Sequence, residues 1–339
     1  HLELLGTATN VSAANTATTF LSTGNLVLGN AAGDALTFAG GLTATAPAAV
    51  QAAGTVGTTH AAIVLGTAPV TLTDNTSFNA GSGLITLGGT VDGAYSLALN
   101  STGVTTLGSA VGDGAALSSI TTNTGGTVVI KGGRITTSGA QTYNDDVLLD
   151  NAAARATVLN TTNAAVMFGA NLNNNTANAE ALTVNTGSGA VTFTGAVGDA
   201  VGTNNGPMGA LAVNTTGATT FVDTMDAASV TTNTGGTVVI KGGRITTSGA
   251  QTYNDDVLLD NAAARATVFN TTNAAVLFGA KLSNNTANAE ALTVNTGSGA
   301  VTFTGAVGDA VGTNNGPMGA IAVNTTGATT FVNTVDAAS

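Results

Sequence analysis

The 339-residue chain has no cysteine and no tryptophan, and only 7% of its residues are charged. Without cysteine there is no disulfide framework and no thiolate metal site. The seven Lys and Arg residues face 18 Asp and Glu, for a net charge of −11. That balance excludes a nucleic-acid interface, which needs cations to displace the counterions of a phosphate backbone. It equally excludes a basic membrane-surface patch. No apolar run approaches the ~18 residues of a spanning helix, so no membrane insertion is expected in this segment. Aromatic residues make up 4%, too few large side chains for a thick globular core. The N-terminal stretch HLELLGTATN has neither Met nor a basic-then-apolar leader, and the chain is expected to be an excerpt of a longer precursor.

What the chain has is glycine, 46 residues of it, with much Ala, Thr, Asn and Val. Hydrophobic residues reach 43% and the mean hydropathy is +0.32. Disorder goes with low hydrophobicity and high charge, so this composition points to order built from small side chains. The apolar pattern has period two. Val191, Phe193 and Val197 share parity in GAVTFTGAVG, with Thr192 and Thr194 on the other face. No helical stripe with caps is present. Asn-Thr-Gly, Gly-Gly and Ser-Gly groups punctuate the strands as tight turns require.

Residues 120–229 align without a gap to 230–339, with eight differences. Five exchange apolar for apolar: Ile120/Val230, Leu159/Phe269, Met167/Leu277, Leu211/Ile321 and Met225/Val335. These mark partly buried positions. Asn171/Lys281 marks solvent, because an unpaired Lys is costly to bury. Asn173/Ser283 and Asp223/Asn333 complete the set. Phe221, Asp223 and Met225 share parity, so a continuous strand would bury Asp223; a turn or bulge is expected over Val222 to Thr224.

A shorter period runs inside the long one. Strand, Asn-Thr turn, strand recurs around Asn100, Asn123, Asn160, Asn185, Asn214 and Asn233. The 37-residue gap after Asn123 is read as hiding an extra coil. Five coils per 110 residues gives about 22 residues each, within the range of stacked repeats. The expected fold is all-β: a parallel β-helix, or β-solenoid, forming an elongated rod. Residues 1–119 would be divergent coils. Residues 120–229 and 230–339 would be two repeat units of about five coils each.

The phrases GGRITTSGAQTYNDDVLL and LTVNTGSGAVTFTGAVG resemble the repeats of filamentous-haemagglutinin-like bacterial adhesins and autotransporter passengers. The resemblance covers nearly the whole chain, most clearly from Gly81 onward. It implies the right-handed hand of the helix, secretion, and display at the surface of a Gram-negative-type bacterium.

Reactive constellations are sparse. A Ser/His/Asp triad needs a positioned His, and only His1 and His60 are available; His60 reads as a surface or turn residue. Polysaccharide hydrolysis or lysis needs clustered carboxylates, but the Glu residues are only Glu3, Glu180 and Glu290. Asp145 and Asp146, repeated as Asp255 and Asp256, are adjacent and therefore point to opposite faces, so Asn144-Asp145-Asp146 reads as a turn facing water. With Asp199 and Asp309 these groups could offer oxygen to calcium, yet no calcium-loop motif is present. Lys131, Arg134 and Arg155, repeated as Lys241, Arg244 and Arg265, are expected to pair with Asp145, Asp146 or Asp150 on neighbouring rungs. No catalytic, cofactor-binding or metal residue is assigned, no cofactor is implied and no enzyme is expected. Thr192 and Thr194 form one step of an ice-binding face, which TVVIK and ALAVN interrupt. Tyr143 and Tyr253 are the aromatic candidates for a binding patch.

The functional expectation is a structural, non-catalytic segment of a secreted β-solenoid fibre or adhesin stalk, extracellular at the bacterial cell surface. Its partners would be neighbouring solenoid segments or like subunits, with host or cell-surface glycans as targets. The alternatives are a carbohydrate- or ice-binding solenoid module, or a β-helical polysaccharide-degrading enzyme.

Overall fold

The computed structural model describes residues 1–10, 16–151, 156–175, 179–198, 205–261, 266–284, 289–308 and 317–338. These fall into two compact units, His1–Ala170 and Asn171–Ser339. Each is a β-solenoid of parallel strands, and no helix occurs among the described residues. The boundary lies inside the first copy of the repeat.

In residues 171–339 the chain climbs in triangular coils, visiting three faces in a fixed order. On face 1, Leu182, Leu211, Val230, Gln251, Val276, Val301 and Thr329 stack in parallel register. On face 2 the row is Val191, Thr219, Val238, Val257, Leu282, Val307 and Val335. On face 3 it is Leu172, Val197, Met225, Ile245, Phe269, Val294 and Val323. Five coils from Leu182 to Val301 average about 24 residues, against the 22 read from the sequence. The difference has a definite cause. The recurring asparagines lie on different faces, so their spacing does not measure a coil. The unit 1–170 repeats the design. There Leu2, Leu26, Val50, Val70, Val91, Val111, Ile135 and Leu159 form one row. The described exception to parallel pairing is the short antiparallel contact of Asn174 and Asn175 with Gly206 and Asn205.

The period-two pattern drives burial. Val191 and Phe193 are buried, while Thr192 between them is half-exposed. Because coils are parallel and in register, like side chains stack on like. Phe193 lies 5.0 Å from Phe221 with rings 4° from parallel. Tyr253, Phe278, Phe303 and Phe331 continue the same motif at 5.6, 5.0 and 4.6 Å. Offset aromatic stacking adds ~0.5–1.5 kcal/mol per pair beyond area burial. Outside, asparagines form amide ladders. Asn214 donates to Asn185 at 2.8 Å, Asn295 to Asn270 at 2.8 Å and Asn324 to Asn295 at 2.7 Å. The Asn-Thr-Gly-Ser-Gly corners are locked by threonine: Thr186 and Thr215 both donate their hydroxyls to the Gly189 carbonyl, at 2.5 and 2.6 Å.

The break expected at Val222 to Thr224 is present, between strands Ala218–Phe221 and Met225–Thr232. Asp223 Oδ1 accepts the Thr224 N–H at 2.7 Å, and Asn333 Oδ1 accepts the Thr334 N–H at 2.8 Å. The substitution between copies thus keeps the one oxygen the turn uses. Asn171 and Lys281 are both exposed, while Asn173 and Ser283 are both buried.

Candidate functional site

The NDD turn is the most reactive-looking stretch, and its geometry differs from the water-facing reading. Asp145 and Asp255 are buried, at 1% exposure each, whereas Asp146 and Asp256 are exposed. Asp145 Oδ1 accepts the Gly126 N–H at 2.7 Å, and Asp255 Oδ1 accepts that of Gly236 at 2.7 Å. Oδ2 has no hydrogen-bond partner in either copy. Burial pushes both carboxyls above the ordinary carboxylate range. Hydrogen bonds to the glycine amide and to Thr122 or Thr232 oppose that shift, and the adjacent Asp146 or Asp256 adds to it. Asn144 is engaged as well, with Nδ2 donating to the Thr122 carbonyl at 2.7 Å. The turn is therefore tied inward to the preceding coil, with one carboxyl in and one out.

Tyr143 and Tyr253 do not form a surface patch. Both are fully buried, and desolvation raises their phenol pKa strongly. Their hydroxyls donate to Gln141 and Gln251 Oε1 at 3.0 and 3.1 Å. Gln141 Nε2 in turn donates to the Ile135 and Asn160 carbonyls and to the Thr137 hydroxyl, at 3.2, 2.9 and 3.3 Å; Gln251 does the same in the second copy. This buried Gln–Tyr network is what the sequence reading missed. Its signal was available, since Gln141 and Tyr143 share the inward parity of the strand Gln141–Tyr143. Buried polar groups persist where their hydrogen bonds are met.

The basic residues pair across rungs. Lys131 meets Asp150 at 2.9 Å and Lys241 meets Asp260 at 3.0 Å, as expected for Asp150. Arg134 instead reaches back to Asp113 at 2.8 Å. Arg244 grips Asp226 with both nitrogens, at 2.9 and 3.1 Å. Asp226 belongs to the first copy and Arg244 to the second, so this pair stitches the repeat junction. Position 116, where the first copy would need the same acid, is alanine; Asp113 takes over the partnership. Lys131, Arg134 and Asp113 line an open groove of about 440 Å³ in the unit 1–170. Arg134 and Asp113 pair with each other and Lys131 with Asp150, and half-exposed pairs of this kind contribute only ~0–1 kcal/mol.

Glu290 is fully buried and accepts the Asn261 N–H. Desolvation raises its pKa to about 7, against the lowering effect of the Asn261 bond and with a further upward push from Asp260. His60 is exposed, has a positive φ of 55°, and accepts the Ser82 N–H at 3.3 Å, which fits a turn residue. Among the described residues no group of three or more His, Asp or Glu side chains is arranged to hold a metal ion. Among the described residues no helix is long and apolar enough to cross a membrane. Asp199, Asp309, Arg155 and Arg265 lie outside the described residues.

No family model matches this chain, and no match was found among the curated proteins or the solved structures.

Proposed function

We propose that the chain is a structural, non-catalytic segment of a secreted β-solenoid fibre or adhesin stalk displayed at a bacterial cell surface. The observation that carries this reading is the junction between copies. The Asp226–Arg244 pair and the Phe221–Ile240 register join one 110-residue copy to the next through the same kinds of contact that join coils within a copy. Such a unit adds length without a new interface having to be invented. Each coil buries its thin apolar interior only against its neighbours, so added copies add stability. The resemblance of the repeat phrases to secreted adhesins supports placing the segment outside the cell, with like segments or surface glycans as partners.

Appending one more copy of residues 230–339 to the full chain tests this. About 4⅔ further rungs at ~4.8 Å should lengthen the particle by ~22 Å in small-angle scattering, and the urea midpoint should rise. An unchanged maximum dimension, or an appended copy that remains open to proteolysis, would overturn the reading.

A further inference from the structure

We infer that the 110-residue repeat rotates its own surface: each copy presents the surface of the preceding copy on a different face, and three copies complete the cycle. The inference uses only pairings within residues 171–339 and does not depend on the proposed role. Leu172 lies on face 3, but its equivalent Leu282 lies on face 2. Leu182 lies on face 1, and Leu292 is in a face 3 strand. Val191 lies on face 2, and Val301 on face 1. All three shifts have the same sense. Between Leu172 and Leu282 the chain takes 14 steps from face to face, which is four full coils and two faces over. Fourteen is not a multiple of three, so equivalent residues cannot line up.

The outer surface follows. The amide ladder Asn185–Asn214 stands on face 1, and its counterpart Asn295–Asn324 stands on face 3. The interior follows too: the Phe193–Phe221 stack is on face 2 and the Phe303–Phe331 stack on face 1. A patch recognised on one copy therefore recurs about a third of a turn round and ~22 Å along on the next. It returns to the same face only after three copies, or 14 coils, which is ~67 Å at ~4.8 Å per coil. Such an array suits separate partners approaching from three sides. It does not suit one flat partner, which would need equivalent sites in line on a single face within its reach.

The absence of native cysteine makes the test direct. Spin labels are placed in the full chain as Thr192→Cys with Thr302→Cys, which are equivalent positions, and as Thr183→Cys with Thr302→Cys. Thr183 and Thr302 are five rungs apart on face 1, so their backbones should be ~24 Å apart along the stack. The Thr192/Thr302 labels should be farther apart, because outward labels on two faces add a lateral offset to a similar rise. Finding the equivalent pair as close as, or closer than, the in-line pair would overturn the inference. If either variant fails to fold, Thr220/Thr330 against Ala212/Thr330 makes the same comparison with the same decisive order.

Discussion

The aromatic stack in the second copy offers a quantitative test of how coils support one another. Phe278 is fully buried, stacked between Tyr253 at 5.6 Å and Phe303 at 5.0 Å, with Phe269 edge-on at 5.2 Å. Phe331 carries one ring contact, to Phe303 at 4.6 Å, and is 42% exposed. Truncating a buried Phe to Ala costs ~3–5 kcal/mol, because the lost transfer energy is joined by a cavity that the surroundings only partly fill. Narrow parallel coils held by backbone ladders on every side cannot collapse far, so Phe278→Ala should sit near ~4 kcal/mol. Phe331→Ala should lose about 1 kcal/mol, since roughly half of its area is already wet. A single unfolding energy is a poor readout for stacked repeats, which open locally. Amide hydrogen exchange over residues 276–303 is the better assay. Phe278→Ala should reduce protection there about a thousandfold and Phe331→Ala about fivefold, at ~1.4 kcal/mol per factor of ten. Equal losses for the two variants, or less than tenfold for Phe278→Ala, would refute the reasoning that burial within the stack sets local stability.

Glu290 makes stability fall with rising pH. Its folded pKa lies above the ordinary value of 4.5, at about 7, so the fold holds this proton more tightly than the unfolded chain does. The associated stability is full below the ordinary value and is lost as pH rises through about 7. Glu290→Gln should flatten that part of a urea-midpoint-against-pH profile, and an unchanged slope would reject the assignment. Asn295 both donates and accepts in its ladder, whereas Asn324 only donates. Asn295→Ala should therefore cost ~1–2 kcal/mol in urea melts and Asn324→Ala about half of that; the reverse order would deny the ladder a stabilising role. Gly112 has φ +70° and no room for a side chain, since an added Cβ would lie 2.1 Å from the Thr136 carbonyl oxygen. Gly112→Ala should cost at least ~2 kcal/mol through backbone strain and the clash, and a neutral result by calorimetry would show that this corner can shift.

Much of the architecture was legible because parallel stacking makes local rules sufficient. Alternation at Val191 and Phe193 gave the inward face, the parity conflict at Asp223 located a turn, and Lys131 with Asp150 gave a rung-to-rung pair. The failures share one physical origin. Asp145 was placed in water because a carboxylate in a turn is usually solvated, but here the glycine amide of the preceding coil reaches it, a contact 19 residues away. Tyr143 was read as a surface candidate although its parity matched that of Gln141. An aromatic hydroxyl needs a buried acceptor to turn inward, and only the neighbouring side chain supplies one. The coil length was short by about two residues because Asn123 and Asn160 are separated by five faces, and a repeated motif does not show which face it occupies. Coils also differ in length, from 19 residues between Leu211 and Val230 to 29 between Leu182 and Leu211.

That variation explains why the duplicated unit is a block of coils. A single coil could be copied only if its corners matched those of its neighbours, and these corners do not. A block is copied whole, and its one new demand is that its first coil seat on its last. Because 14 faces leave a remainder of two, the seating is between different faces: Phe221, at the end of one aromatic stack, lies under Ile240, while the next stack begins on another face at Tyr253. Each interior row must then accept either kind of neighbour. The substitutions between copies meet that demand, staying apolar at Ile120/Val230, Leu159/Phe269 and Leu211/Ile321. Phe269 uses the tolerance fully, fitting edge-on against both Tyr253 and Phe278 at 5.6 and 5.2 Å. The charged contact at the same junction shows a similar tolerance. Arg134 and Arg244 have preceding coils of different sequence, yet each finds an aspartate, Asp113 or Asp226, on the rung below. The interior needs only compatible volume, and the Arg on the rim takes its partner from either of two non-equivalent positions, Asp113 lying three residues before the place that corresponds to Asp226.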